Sequence, residues 1–375
     1  MKIALCGYPP LAAQLIDALK NSGVEVTHFV NDFISGRGKT SFNLPTPPLQ
    51  LVNFFEFRRL IESGTLDGLI IAEEGLYPFT KEVIKICKLY EIPAGVINFW
   101  NTSEQIYWLD GGRAFIPYME TNLIDSCNLN CCGCTHFANL FSDADFYALE
   151  DFKRDIRRIA ETADVLRLRL MGGEPLKLKN LDQYIKIARK FLPHTALRLV
   201  TNGLMIPGAP QKLFDALREN KFTVDISLYP PTVKILDKIK AALAKNEIPL
   251  QDVTGEVETF NVFLTLNGMH DSAQSRAICH SDLCRFLRDG KLYKCPVDAL
   301  SFRFAERFGL KNFPASTSID IFSKNFPALL EQLNGSVELC SWCNETARQI
   351  PWAPKNKPVL TDWLADPSEL ERLQS

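Results

Sequence analysis

Between Val165 and Asn267, one alternation recurs and limits the possible folds: apolar residues on one parity, polar or charged residues on the other. "VLRLRLMGG" sets Leu166, Leu168 and Leu170 against Arg167 and Arg169, and "ALRLVTNG" sets Leu197 and Leu199 against Arg198. "TVDISLYPP" opposes Val224, Ile226 and Leu228 to Asp225, Ser227 and Tyr229. "FNVFLTLNG" opposes Val262, Leu264 and Leu266 to Asn261, Thr265 and Asn267. A period of two marks strands whose faces meet different environments. Helical patterns fall nearby, as in "ALEDFKRDIRRIA", which presents Leu149, Phe152, Ile156 and Ile159 on one face. Strands separated by helices imply a parallel sheet, yet parallel strands buried on both faces read as continuous apolar runs. A partial barrel with helices outside and a polar lumen produces the observed pattern; a barrel filled with branched apolar side chains does not. For the arginines and Asp225, two readings stay open: lumen residues, or internal ion pairs at the far end of the barrel.

The first hundred residues alternate differently. "KIALCGY", "EVTHFVND", "LDGLIIAEE" and "AGVINFW" read as strands; "LAAQLIDALKNSG", "VNFFEFRRLIESG" and "TKEVIKICKLYEI" read as helices. That order predicts a Rossmann-like α/β domain over 1–108. Two nucleotide motifs fail. "CGYPPLAA" lacks the three glycines of a dinucleotide fingerprint, and "GRGKT" has Phe33 where a phosphate loop needs its first glycine. No bound dinucleotide is expected.

A chain of 375 residues has room for two or three domains, and its net charge of −2 gives no electrostatic footprint for nucleic acid or an anionic membrane. No apolar run reaches the length of a membrane span. The opening "MKIALCGYPP" is too short in its apolar part for a signal peptide. The 11 cysteines fall in C-x2-C and C-x3-C groups, which read as metal ligands of a reduced compartment rather than as disulfides. Cytoplasm is the expected location.

Four of those cysteines crowd into "CNLNCCGC". Cys127, Cys131 and Cys134 have C-x3-C-x2-C spacing, and Cys132 is the extra thiol. Three thiolates on one loop suit zinc or an iron–sulfur cluster. With three ligands one metal position stays open, which favours catalysis. A second group, Cys279, Cys284, Cys295, Cys340 and Cys343, offers five thiols for four positions, and spacing alone leaves zinc and iron–sulfur even. Cys6 and Cys87 read as core.

"CNLNCCGC" resembles the signature of the radical S-adenosylmethionine (SAM) enzymes. The resemblance implies that Cys127, Cys131 and Cys134 hold three irons of a [4Fe–4S] cluster and that SAM chelates the fourth. "GGEP" (Gly172, Gly173, Glu174, Pro175) matches the family motif that meets the methionine amino group; Thr201 and Asn202 of "TNG", and Ser227, follow at the next strand ends. The family's aromatic residue before the third cysteine is absent, since Gly133 stands there. His136 and Phe137 are the alternative adenine contacts, although a surface histidine and a core phenylalanine fit the same positions. Cys279, Gly290 and Cys295, with the later C-x2-C, resemble a twitch or SPASM extension. That implies one auxiliary [4Fe–4S] cluster on Cys279, Cys295, Cys340 and Cys343. Cys284 is left as an alternative ligand, a buried thiol or a hydrogen-atom donor.

The expected organisation is therefore a Rossmann-like domain (1–108), a partial (β/α)6 radical SAM barrel (109–270) and an auxiliary-cluster domain with the C-terminal tail (271–375). The family's chemistry implies reductive cleavage of SAM and abstraction of a substrate hydrogen by a 5′-deoxyadenosyl radical. The electron comes from a donor such as flavodoxin or ferredoxin. The leading expectation is oxidation or epimerisation of a small polyol-like substrate such as a sugar, nucleotide sugar or aminocyclitol. A peptide-modifying enzyme is the alternative, and an iron–sulfur electron carrier without a SAM site is a third reading. Asp225, Tyr229 and Cys284 are candidates for catalytic roles.

Overall fold

A computed structural model describes residues 1–7, 16, 19–20, 23–30, 49–72, 78–97, 106–110, 113–279, 281 and 283–374. The chain divides into two compact units, Met1–Pro117 and Tyr118–Ser375. In the first, strands Lys2–Gly7, Glu25–Val30, Gln50–Val52, Gly68–Ala72, Ala94–Ile97 and Ile106–Trp108 form one sheet in the order third, second, first, fourth, fifth, sixth. All neighbours are parallel except the last pair. This is the Rossmann-like order. The continuous apolar run Gly68–Ala72 lies at its centre and is buried throughout. Helix Phe54–Glu62 starts where Asn53 and Glu56 close a reciprocal capping box. The turn read as a failed dinucleotide fingerprint, the "GRGKT" loop and most of the helix read over 11–23 lie outside the described residues.

The second unit carries the alternating strands. Its large sheet runs Leu250–Val253, Thr223–Ile226, Ala196–Thr201, Arg167–Gly172, Tyr118–Ile124, Cys284–Arg288, Lys291–Tyr293, Ser318–Asp320. The first six are parallel neighbours and the last two add antiparallel. The order is linear, with no pairing between its two end strands among the described residues. Leu166, Leu168, Leu170, Leu197, Leu199, Val224 and Ile226 are all buried. Helix Leu149–Thr162 buries Phe152, Ile156 and Ile159, while Leu149 is only half-buried at its start. No helix among the described residues is long and apolar enough to cross a membrane.

One strand departs from the sequence reading. Thr259–Leu264 is not in the large sheet; it pairs antiparallel with Cys343–Pro351. The sixth parallel position, beside Tyr118–Ile124, is taken by Cys284–Arg288. A period of two reports a half-buried strand but not its partner, so "FNVFLTLNG" carried no information on which sheet it joins.

Candidate functional site

The strand ends at Ile124, Gly172, Thr201 and Ile226 meet through contacts that only certain residues allow. A Cβ on Gly172 would stand 2.0 Å from the Ile124 carbonyl oxygen, and one on Gly173 would stand 2.0 Å from that of Ser126. The Gly173 and Glu174 N–H groups instead donate to Ile124 and Ser126 at 2.8 and 3.0 Å. "GG" is thus the condition for laying the second strand end against the start of the cysteine loop. Glu174 is fully buried; its carboxylate accepts from Thr201 Oγ1 (2.7 Å), Asn202 N (2.9 Å) and Leu176 N (3.1 Å). It stitches "GGEP" to "TNG", and Pro175 opens the short turn after it. Asn202 Nδ2 donates to Asn128 Oδ1 at 2.7 Å and to Cys127 Sγ at 3.8 Å. Ser227 N donates to the Thr201 carbonyl at 3.0 Å, bringing the fourth strand end to the same edge.

The thiols of this loop face different partners. Cys127 Sγ accepts the Leu129 N–H at 3.5 Å, and Cys131 Sγ accepts Trp352 Nε1–H at 3.2 Å. The Ala138, His136 and Phe137 N–H groups face Cys134. Burial pushes the Cys127 and Cys131 thiols up to about 11 and about 12, so without a positive partner each stays protonated. Cys132 differs. Burial raises it and the nearby Asp362 carboxylate raises it further, while Lys355, which pairs with Asp362 at 2.6 Å, and Arg348 pull the other way.

Gly133 sits at φ +68°, and a Cβ there would lie 2.6 Å from Ile350 Cδ1 and 2.7 Å from Val262 Cγ1. The space that an aromatic residue would need is filled by the Thr259–Leu264 and Cys343–Pro351 pair. Phe137, one of the suggested adenine contacts, is core: it packs on Phe304 and Trp363 at 5.6 and 5.8 Å. His136 is half-buried with Nδ1 3.0 Å from Asn122 Oδ1, and burial lowers it to about 4, so it is neutral.

The second group is assembled from distant segments. Cys279 Sγ accepts Ser281 N–H, Cys295 Sγ accepts Asp298 N–H and Cys340 Sγ accepts Val337 N–H, each at 3.4 Å. Cys295 is the N-cap of helix Pro296–Phe308, and Cys343 starts the strand Cys343–Pro351. Burial raises Cys295 and Cys343, and the Asp298 carboxylate and the other thiols, Cys279 and Cys340 among them, raise both further. Gly290 follows Asp289, both at positive φ, in the two-residue turn between strands Cys284–Arg288 and Lys291–Tyr293. A primed hairpin turn demands that geometry. Cys284 again stands apart: it is buried and hydrogen-bonds the Glu120 carboxylate.

Inside the large sheet, Asp225 accepts from Arg198 at 3.0 and 3.1 Å and pairs with Arg169 at 3.0 Å. Arg198 is fully buried. The Arg167 guanidinium lies 4.1 Å from the centre of the Tyr118 ring. Asp225 is therefore the counter-charge of Arg169 and Arg198. Glu120, which the sequence reading missed, is the register partner of Arg169. Burial pushes its carboxyl above the usual range, opposed by Arg169 and its bond to Cys284. Tyr229 stacks on Trp352 with centroids 6.1 Å apart, and burial and the three loop thiols push its hydroxyl up. Trp352 and Asp362 also escaped the sequence reading, because nothing local in the sequence links them to the cysteine loop.

Among the described residues no three His, Cys, Asp or Glu side chains converge on one ion position. A [4Fe–4S] cluster asks for something else, since each thiolate binds a different iron. Thiols that accept N–H donors suit it, because such donors stabilise thiolate charge.

Residues 121–249 match the model of the Radical SAM superfamily. The chain therefore carries a radical SAM domain. A GTP 3′,8-cyclase of Sulfurovum sp. (strain NBC37-1) is 28% identical over 157 residues, covering 40% of this chain and 42% of that protein. The GTP 3′,8-cyclase of Syntrophomonas wolfei subsp. wolfei is 33% identical over 147 residues, 36% of this chain and 44% of that one. The chain thus matches less than half the length of these two curated relatives. The crystal structure of BtrN in complex with AdoMet and 2-DOIA is similar over 67% of this chain and 99% of that chain, at 14% identity and a TM-score of 0.39.

Proposed function

We propose that this chain is a radical SAM enzyme acting on a small, hydroxyl-rich substrate. The observation that carries the reading is the partition of thiols at the strand ends. Cys127 and Cys131 accept N–H donors and backbone N–H groups face Cys134, whereas Cys132 faces Asp362. These three would hold a [4Fe–4S] cluster, and when bound it would supply the electron that cleaves SAM. The chain's own residues set the stage. Gly172 and Gly173 bring their backbone against the loop, Glu174 locks Thr201 and Asn202 in place, and Asn202 and Ser227 line the same edge. Cys279, Cys295, Cys340 and Cys343 would hold a second cluster, able to take an electron from a substrate radical as that radical loses a proton. A one-electron donor such as flavodoxin or ferredoxin would be the redox partner.

Glu120 and the partly exposed Arg169, backed by the internal Arg198–Asp225 pair, favour a polyol, nucleotide sugar or aminocyclitol, because hydroxyls can join an existing network of buried charge. The test is anaerobic incubation of reconstituted enzyme with SAM, reductant and a panel of nucleotide sugars, aminocyclitols, GTP and short peptides. Formation of 5′-deoxyadenosine above background with a sugar or cyclitol supports the reading. A response to peptides alone overturns it, and a cyclised product from GTP would align the chain with its named relatives instead.

A further inference from the structure

The C-terminal stretch after Pro351 lies along the cysteine loop. Ala353 carbonyl accepts Cys132 N–H at 2.8 Å, Lys355 N–H donates to the Asn130 carbonyl at 2.7 Å, and Cys131 and Pro354 form an antiparallel bridge. Asn130 Nδ2 donates to Asn356 Oδ1 at 3.0 Å, and Trp363 Nε1–H donates to the Cys134 carbonyl at 2.8 Å. Within this stretch, Trp352 is held from two directions. Its backbone N–H donates to the Glu258 carbonyl at 2.7 Å, and its ring stacks on Tyr229. Its Nε1–H therefore reaches Cys131 Sγ at 3.2 Å from a fixed ring rather than from a free rotamer. Trp352 also directly follows the strand that begins at Cys343, so one continuous segment joins the two thiol groups.

We propose that Trp352 is a positioning residue of the thiol loop, which sets the reduction potential of the cluster held by Cys127, Cys131 and Cys134 through its N–H···S bond to Cys131. The inference rests on the proposed ligand set. Its physical basis is general: reduction adds negative charge that spreads onto the thiolate sulfurs, so a donor aimed at one sulfur stabilises the reduced state more than the oxidised one. Indole nitrogen is a donor only and cannot reverse the bond. Losing it lowers the potential and makes the cluster harder to reduce.

The experiment uses the full chain, reconstituted anaerobically, as wild type, Trp352→Phe, Trp363→Phe and Cys131→Ala. Iron and sulfide content, redox titration and pulsed EPR with isotope-labelled tryptophan nitrogen are read, with the relevant signal identified by its response to added SAM. Trp352→Phe is expected to keep its iron, to shift this cluster to a more negative midpoint, and to lose a labelled-nitrogen coupling seen in wild type. Trp363→Phe, which removes a bond to a carbonyl rather than to a thiol, keeps both the coupling and the midpoint. Equal shifts in the two tryptophan variants, or no shift in Trp352→Phe, overturn the proposal. Absence of the coupling in wild type does so without relying on any variant folding. Cys131→Ala separates the two levels: if it retains the SAM-responsive cluster, the ligand assignment itself is wrong.

Discussion

Cys127, Cys131 and Cys134 come from a single loop whose backbone is pinned by Gly172, Gly173 and Glu174, whereas Cys279, Cys295, Cys340 and Cys343 come from a turn, a helix cap, a 3-10 turn and the start of a strand. Each region also contains one thiol with a different environment. Cys132 faces Asp362 in the first and Cys284 faces Glu120 in the second. Five of the seven proposed ligands accept an N–H donor at 3.2–3.5 Å, backbone N–H groups face Cys134, and both outsiders meet a carboxylate. Different architectures thus arrive at one electrostatic rule. Burial raises the thiols of both kinds, and Glu174 and Asp298 also raise Cys127, Cys295 and Cys343. The contrast lies in the nearest partner, an N–H donor at those ligands and a carboxylate at each outsider.

The largest expected effect breaks or keeps that rule in the first region. Cys131→Ala should lose the cluster and all SAM cleavage, while Cys132→Ala should keep full iron content and near wild-type cleavage. Iron and sulfide analysis with 5′-deoxyadenosine assay decides it; equal loss in both variants would mean that the carboxylate criterion has no value. In the second region the contrast is Cys295→Ala against Cys284→Ala. The first should lose about half of the bound iron, as expected when one of two like clusters is missing, and the second should lose none. Mössbauer or EPR quantitation reads the difference, and an intact second cluster in Cys295→Ala would sink that ligand set.

A third prediction concerns a carboxylate that meets arginines instead of thiols. Asp225 is the counter-charge of the fully buried Arg198, so Asp225→Asn leaves a guanidinium in the interior without its ion pair. Removing one partner of a buried pair costs about 3–5 kcal/mol. Urea unfolding should show that loss of stability together with lost turnover. An Asp225→Asn protein of wild-type stability with lowered turnover would move Asp225 from scaffold to catalysis.

How far the sequence could carry these contrasts depended on distance along the chain. The thiol loop and the strand ends that meet it were legible because the proposed ligands, their spacing and the following strand ends all lie in local motifs. Strand parity likewise placed Leu168 and Leu199 in the core and Arg169, Arg198 and Asp225 together on the opposite face. What stayed hidden was any relation between remote segments. Asp362 meets Cys132 from more than two hundred residues away, and Cys284 reaches Glu120 only because its strand pairs in parallel with Tyr118–Ile124. The strand Thr259–Leu264 was recognisable as a strand, but its partner Cys343–Pro351 was not, because alternation carries no address.

Gly133 offers the smallest and most selective way to sharpen the comparison, since it perturbs the packing over the loop without touching a thiol. Its left-handed backbone costs an alanine about 1–2 kcal/mol. The added methyl also meets the mobile ends of Ile350 and Val262 at 2.6 and 2.7 Å and the Asp362 carbonyl oxygen at 3.0 Å. The side-chain ends can shift, but the carbonyl belongs to the segment that also presents Asp362 to Cys132. Gly133→Ala should therefore lower stability by about 2 kcal/mol, seen as a lower urea midpoint with an unchanged slope. It should leave the iron content intact and increase proteolytic cleavage between Trp352 and Trp363. A Gly133→Ala protein as stable and as protected as wild type would mean that the C-terminal segment does not seat on the loop. The carboxylate facing Cys132 would then lose its structural basis, and with it half of the rule that separates ligand from bystander.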